Sequence, residues 1–210
     1  YLATNQGAYE YNRRTSEIHL LPHTSGQNWY VKQIDSQVFI GNDMSTMLVE
    51  QNGSIQSVPG ALNSTCIVEA SINGQEVLVE ASYAELRIWK KQAGIWKLSH
   101  NVQDFYAPIK SLEVDGTGTI WASHMYNGLY RIKLDDDLHR IKDLEHIHTL
   151  GGKQKSGKIH VMKIRGRIVF SNTEGYFMYD DIERKIKPYD LLNTSVPFLT
   201  DAHTAVDVHN

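Results

Sequence analysis

Five segments of this 210-residue chain repeat one pattern, and that repetition constrains the fold more than any single residue does. The segments run 1–11, 38–49, 77–88, 120–132 and 168–179, each a short apolar strand, a polar turn ending in a small residue, and an alternating strand. Their starts are 37, 39, 43 and 48 residues apart, a drifting period near 40. Short strands at that spacing suggest propeller blades of four strands each.

The best-preserved copy lies within Ser111 to Leu134. An apolar run from Ile109 to Val114 precedes the turn Asp115-Gly116-Thr117-Gly118. Strand Ile120 to His124, turn Met125-Tyr126-Asn127-Gly128 and strand Leu129 to Leu134 follow. Turn residues stand where an antiparallel meander must reverse. Around the copies, outer strands are expected at 17–21, 54–58, 95–100 and 138–150, and inner strands at 28–34, 64–72 and 158–164. Asn73-Gly74 is a strong hairpin signal between two of them. The tail 202–209 reads as one more inner strand, which would complete the first blade. The expected fold is therefore all-β: a propeller of about five four-stranded blades, one domain or propeller fragment over 1–210. It is either closed by the C-terminal strand or an arc of a larger ring. Helix is scarce, the best stretch being 135–145, which lacks a sustained apolar stripe. The chain opens in mid-pattern at Tyr1, as expected of a piece of a longer protein.

Composition narrows the partners. With 41% hydrophobic and 21% charged residues the chain has an ordinary globular make-up, and no run approaches a membrane helix in length. A net charge of −3 argues against a phosphate-binding surface, so no nucleic acid is expected on this segment. Cys66 is the only cysteine and cannot form a disulfide within the chain.

The chemical motifs are weak. Gly152 to Lys158 fits G-x-x-x-x-G-K, but Ile159 replaces the required Ser or Thr and a strand pattern follows, so a basic loop is the better reading. His146-Ile147-His148 places two imidazoles on one strand face, half of a zinc site without a third ligand at suitable spacing. Asp135-Asp136-Asp137 lacks the alternating ligands and glycine of a calcium loop and reads as a solvated turn. No nucleophile elbow or carboxylate pair stands out, Glu69, Glu76, Glu80 and Glu85 reading as outward faces or turns. No catalytic residue, cofactor or metal is expected.

Binding is the more physical expectation. In a propeller the turns between second and third strands share one face with the loops between blades. That face would gather Asn5, Asp43, Tyr83, His124, Tyr126, Asn172 and Glu174, with His23, Tyr106, Lys153 and Phe198 from the links. Rings stack on the C–H face of a sugar and amides or carboxylates take its hydroxyls, although Asn, Asp and Ser also favour turns for local reasons. Trp29, Trp89, Trp96 and Trp121 are expected mainly in packing between blades.

One family fits the copies. Asp115, Gly116, Ile120, Trp121, Ser123, Gly128, Leu129 and Tyr130 resemble the two-component regulator propeller repeat, closely in the fourth copy and partially in the fifth and first. The resemblance implies the extracytoplasmic, periplasmic sensor part of a membrane-bound bacterial regulator, either a hybrid sensor histidine kinase or a relative ending in a helix-turn-helix. Many of these control carbohydrate use. It also implies a glycan or other small ligand, homodimerisation through the full-length protein, and membrane contact only outside this segment. The family's rings usually carry about seven blades, and no kinase, receiver or DNA-binding motif is present here. An interaction scaffold without a small ligand and a carbohydrate-active enzyme are the competing readings.

Overall fold

A computed structural model describes residues 1–50, 52–150 and 158–196. Within each of its five sheets, strands consecutive in sequence pair antiparallel, as short strands joined by tight turns must. Blade 1 holds β1 (Leu2–Thr4), β2 (Gly7–Asn12) and β3 (Glu17–Leu20). Blade 2 holds β4 (Asn28–Ile34), β5 (Gln37–Asn42), β6 (Thr46–Val49) and β7 (Ile55–Ser57). Blade 3 is β8 (Ser64–Ile72), β9 (Gln75–Ser82), β10 (Leu86–Gln92) and β11 (Ile95–Asn101). Blade 4 is β12 (Ile109–Val114), β13 (Ile120–His124), β14 (Leu129–Leu134) and β15 (Ile141–Ile147). Blade 5 is β16 (His160–Ile164), β17 (Arg167–Asn172), β18 (Gly175–Asp180) and β19 (Lys185–Pro188), followed by α1 (Asp190–Ser195). The all-β propeller architecture is as expected. The strand expected at 202–209, the loop 151–157 with Lys153, and Phe198 lie outside the described residues.

Local chemistry explains the turns. Asn73 and Gly74 have φ of 51° and 75°, the two positive values a type I′ hairpin turn requires, and Ala93-Gly94 and Arg165-Gly166 repeat them. The stretch 135–145 is not helical. Ile141 onward forms β15, because Leu144 pairs with Ile132 and Ile147 with Leu129 along β14. The one helix among the described residues, α1, follows β19 and packs Leu192 against Met162, Val169 and Tyr176.

The chain divides into two compact units, one of Tyr1–Ala70 and Gly74–Pro108, the other of Ser71–Asn73 and Ile109–Asn210. In the first, Ile34 and Phe39 of blade 2 interdigitate with Ile67, Leu78 and Trp89 of blade 3, and Phe39 meets Trp89 edge-on at 5.4 Å. Ala8 of blade 1 packs on Ile40 and Met47 of blade 2. In the second unit, Trp121 of blade 4 packs on Phe170 and Tyr179 of blade 5 at ring separations of 5.2 and 4.6 Å. Each such fully buried large apolar side chain contributes about 1.5–3 kcal/mol. Trp89, Trp96 and Trp121 thus pack between blades as expected.

Glu80 corrects the sequence reading, since it faces inward and is fully buried. Its carboxylate accepts from the Thr46 hydroxyl, from Ser64 Oγ at 2.5 Å and from Trp89 Nε1 at 2.8 Å, and lies 3.6 Å from Arg87 Nη1. Tyr30 joins through Ser64 at 2.8 Å, and burial, then the Glu80 charge, raise its phenol well above the usual range. A buried carboxylate survives here because donors from three strands, β6, β8 and β10, surround it. Glu69 and Glu76 are exposed, as read from the sequence.

Candidate functional site

In blades 2 to 5 the second strand, and in blade 1 the strand β1, ends on a residue whose side chain closes the turn to the next strand. Thr4 Oγ1 accepts from the backbone N–H of Gln6 and Gly7 at 3.1 and 3.2 Å. Asn42 Oδ1 accepts from Met44 at 2.8 Å, Ser82 Oγ from Ala84 and Glu85 at 3.1 and 2.8 Å, and Asn172 Oδ1 from Glu174 at 2.9 Å. In blade 4 the acceptor is His124, whose Nδ1 receives the N–H of Tyr126 at 3.1 Å and Asn127 at 3.0 Å. Short polar side chains close turns in this way because they stand in for a backbone carbonyl. Asn172 and Glu174 are therefore joined by their own turn, and Asn172 is buried. Asn5 lies exposed in the first turn.

With the turns fixed, the side chains beside them are aimed. In the first unit the structure brings Asp43 and Tyr83 together and adds Trp29. The Tyr83 hydroxyl donates to Asp43 Oδ1 at 2.7 Å, and the Trp29 indole N–H donates to the same oxygen at 2.9 Å. The indole and phenol rings meet edge-on at 6.1 Å. All three residues are half-buried. Trp29 thus meets a ring of the next blade, as expected of packing between blades, while a carboxylate beside the turns engages its polar edge.

In the second unit His124 and Tyr126 anchor a group of rings, their centroids 6.0 Å apart. Tyr130 of β14 stacks on His146 of β15 at 4.2 Å with planes 24° apart, and His148 lies 3.9 Å beyond His146. Cross-strand register explains the stack, for Tyr130 is the direct partner of His146. Gly128 permits it: its φ is +81°, and a Cβ there would stand 2.6 Å from the Ile147 carbonyl and 3.1 Å from His146 Nε2. Burial and then the neighbouring His146 hold the His124 pKa below the ordinary histidine value, and burial raises that of Tyr130. Tyr126 is exposed at the tip.

The His146–His148 pair does not build a metal centre: among the described residues no three His, Cys, Asp or Glu side chains are placed to hold an ion. Asp135 closes its turn by accepting from His139 at 2.8 Å and Arg140 at 3.1 Å, and Asp136 and Asp137 are exposed, as a solvated turn requires. Of the blade links, His23 and Tyr106 are exposed. Grooves occur at the outer strands: one of about 710 Å³ in the second unit is lined by Ile147, Tyr179, Ile186 and Lys187, and one of about 650 Å³ in the first by Gln37, Leu48, Ile95 and Trp96. Trp29, Asp43, Tyr83, His124, Tyr126 and Tyr130 line neither of these two grooves. Trp29, Tyr130 and His146 are not among the face residues expected from the sequence, which reads them as a packing residue, a repeat residue and half of a zinc pair; the direct pairing of Tyr130 with His146 could have grouped those two.

No protein-family model and no curated protein matches the chain in sequence. Among solved structures it is similar to an auxiliary nutrient binding protein from Bacteroides thetaiotaomicron, at 8% identity and a TM-score of 0.54 over 89% of this chain and 52% of that one. It is similar also to a candidate 6-phosphogluconolactonase from Bacteroides uniformis, at 14% identity and a TM-score of 0.50 over 88% of this chain and 65% of that one. The extracellular domain of a candidate one-component system from B. thetaiotaomicron matches at 13% identity and a TM-score of 0.49, over 89% of this chain and 39% of that one. The chain thus spans between 39% and 65% of the length of these structures. Likeness at such identities shows the propeller fold and does not carry function. No helix among the described residues is long and apolar enough to cross a membrane.

Proposed function

We propose that this chain is the ligand-binding propeller of a bacterial signal-transducing transcriptional regulator, and that it responds to a carbohydrate-type ligand without catalysing its conversion. The observation that carries the reading is the Trp29–Asp43–Tyr83 cluster, where two aromatic rings and a carboxylate share the turn end of one unit. The second unit places Tyr126, Tyr130 and His146 at the corresponding turn of blade 4. Ring clusters with polar edges suit an extended glycan, stacking on its C–H faces and bonding its hydroxyls. Asn5 in the first unit, and Asn172 and Glu174 in the second, stand at the equivalent turns of their own blades and are proposed as ligand contacts there. The family resemblance of the fourth copy supports an extracytoplasmic, periplasmic placement, with dimerisation and the output domain supplied by the full-length protein. The similar fold of a protein named an auxiliary nutrient binding protein supports the ligand-binding reading. A ligand can signal only by favouring one arrangement of the regulator over another. Thermal-shift screening of the full-length extracytoplasmic region against an oligosaccharide panel tests the reading: at least one glycan class raises the melting temperature, and a panel without effect contradicts it.

A second reading, an interaction scaffold, has its own support. Leu2, Tyr11, Ile18 and Leu20 lie on one face of blade 1 by their register and are 45–57% exposed. Sedimentation of Ile18→Glu against the unaltered protein tests it, a loss of self-association favouring the scaffold.

A further inference from the structure

We propose that the blade 4 turn is a proton-operated switch on the ligand face: neutral His124 holds it closed, and a proton added at Nδ1 opens it and releases Tyr126. The inference rests on the reading of that face as ligand-binding, and concerns its regulation.

The turn acceptors of blades 1, 2, 3 and 5 are Thr4, Asn42, Ser82 and Asn172, none of which takes up a proton near neutral pH. Blade 4 alone of these five uses an imidazole, the side chain whose charge changes in that range. The two N–H groups at 3.1 and 3.0 Å need the Nδ1 lone pair, so the neutral ring carries its hydrogen on Nε2. Protonation from solvent converts Nδ1 into a donor facing two donors. Both turn hydrogen bonds are lost together, and a local +1 charge appears beside the ring stack. The open turn frees the Tyr126 ring, which now sits 6.0 Å from His124.

The surroundings favour the neutral, closed state. From its own turn His124 faces the Tyr126 phenol, from β14 the Tyr130 phenol at 6.1 Å, and from β15 His146 at 6.3 Å with His148 behind it. On β12 its register partner is Ile109, with Lys110 next along the strand. On β16, packed beside β13, the first residue is His160, and Lys163 donates to the Val114 carbonyl at 2.9 Å. None of these groups is a carboxylate that would hold a proton on His124. Burial and the like charge of His146 push in the same direction, so opening belongs to mildly acidic conditions.

Amide hydrogen exchange of the chain without ligand tests the switch independently of any glycan. Between pH 7.5 and 5, the Tyr126 and Asn127 amides should lose protection about tenfold relative to the Met44 and Glu174 amides, whose acceptors are asparagines. His124→Asn should abolish this difference while keeping the turn closed, and His146→Gln should move the midpoint up towards the ordinary histidine value. Equal behaviour of all four amides, or an unchanged pH dependence in His124→Asn, would overturn the proposal. Because no ligand is present, that failure stays separate from a failure of glycan binding in the thermal-shift screen.

Discussion

The Tyr83 hydroxyl sits 2.7 Å from the Asp43 carboxylate, so one oxygen ties the turn of blade 3 to that of blade 2 while also accepting the Trp29 indole. Asp43→Ala removes the acceptor and leaves two half-buried donors without it. The expected cost is about 1–3 kcal/mol in denaturant titration, with a changed Trp29 emission. Asp43→Asn, which keeps an acceptor oxygen, should cost less than half as much. Equal losses in the two variants would mean that the carboxylate does not organise these turns.

Deeper in the same unit, Glu80 and Arg87 are both essentially out of water. Glu80→Ala removes the buried counter-charge and leaves the guanidinium only the partly exposed Glu85 carboxylate at 3.4 Å, an expected loss of about 3 kcal/mol. A double substitution to Leu at 80 and Met at 87 removes both charges and should recover most of that loss. Urea midpoints of the three proteins check the order.

Two glycines separate backbone strain from crowding. Gly74→Ala adds a Cβ in open space at φ +75°, whereas Gly128→Ala adds one 2.6 Å from the Ile147 carbonyl at φ +81°. The first change should cost about 1 kcal/mol, and the second clearly more, because β15 must shift as well. Thermal unfolding of both variants measures the difference.

Asp180 carries the clearest pH dependence. Lys187, bonded to it at 2.7 Å, and the Glu183 and Ile182 N–H groups lower its pKa to about 2. A depressed carboxyl contributes stability that is fully present above its unfolded pKa, near 4, and lost as pH falls through the folded value. The stability difference between the unaltered protein and Asp180→Asn should therefore shrink on going from pH 4 to 2, and more weakly in high salt because the pair is partly open to solvent. A difference that does not change over that range would contradict the assignment.

The strands and turns were legible because their determinants are local: Asn73-Gly74, the apolar runs, and the Trp121 and Gly128 positions of the fourth copy. Glu80 was misread because the groups that surround it, Thr46 and Ser64, stand 34 and 16 residues away. Alternation cannot reveal donors from other strands. The six residues of α1 are too few to display an apolar stripe, whereas the outer strand expected within 138–150 is there as β15, paired along β14. At the candidate site, Asp43, Tyr83, His124 and Tyr126 were found as turn residues. Trp29 was not, since a tryptophan at the start of an inner strand looks the same whether it packs or faces a carboxylate.

The central claim is that the turn face, and not the outer grooves, receives a carbohydrate. Amide chemical-shift mapping of the isotopically labelled chain with a mixed oligosaccharide pool tests it most directly. The account predicts that shifts concentrate in the turns carrying Asp43, Tyr83 and Tyr126 and in the Trp29 indole N–H. Shifts confined to the grooves around Tyr179 or Trp96, or no shifts at millimolar sugar, would contradict it.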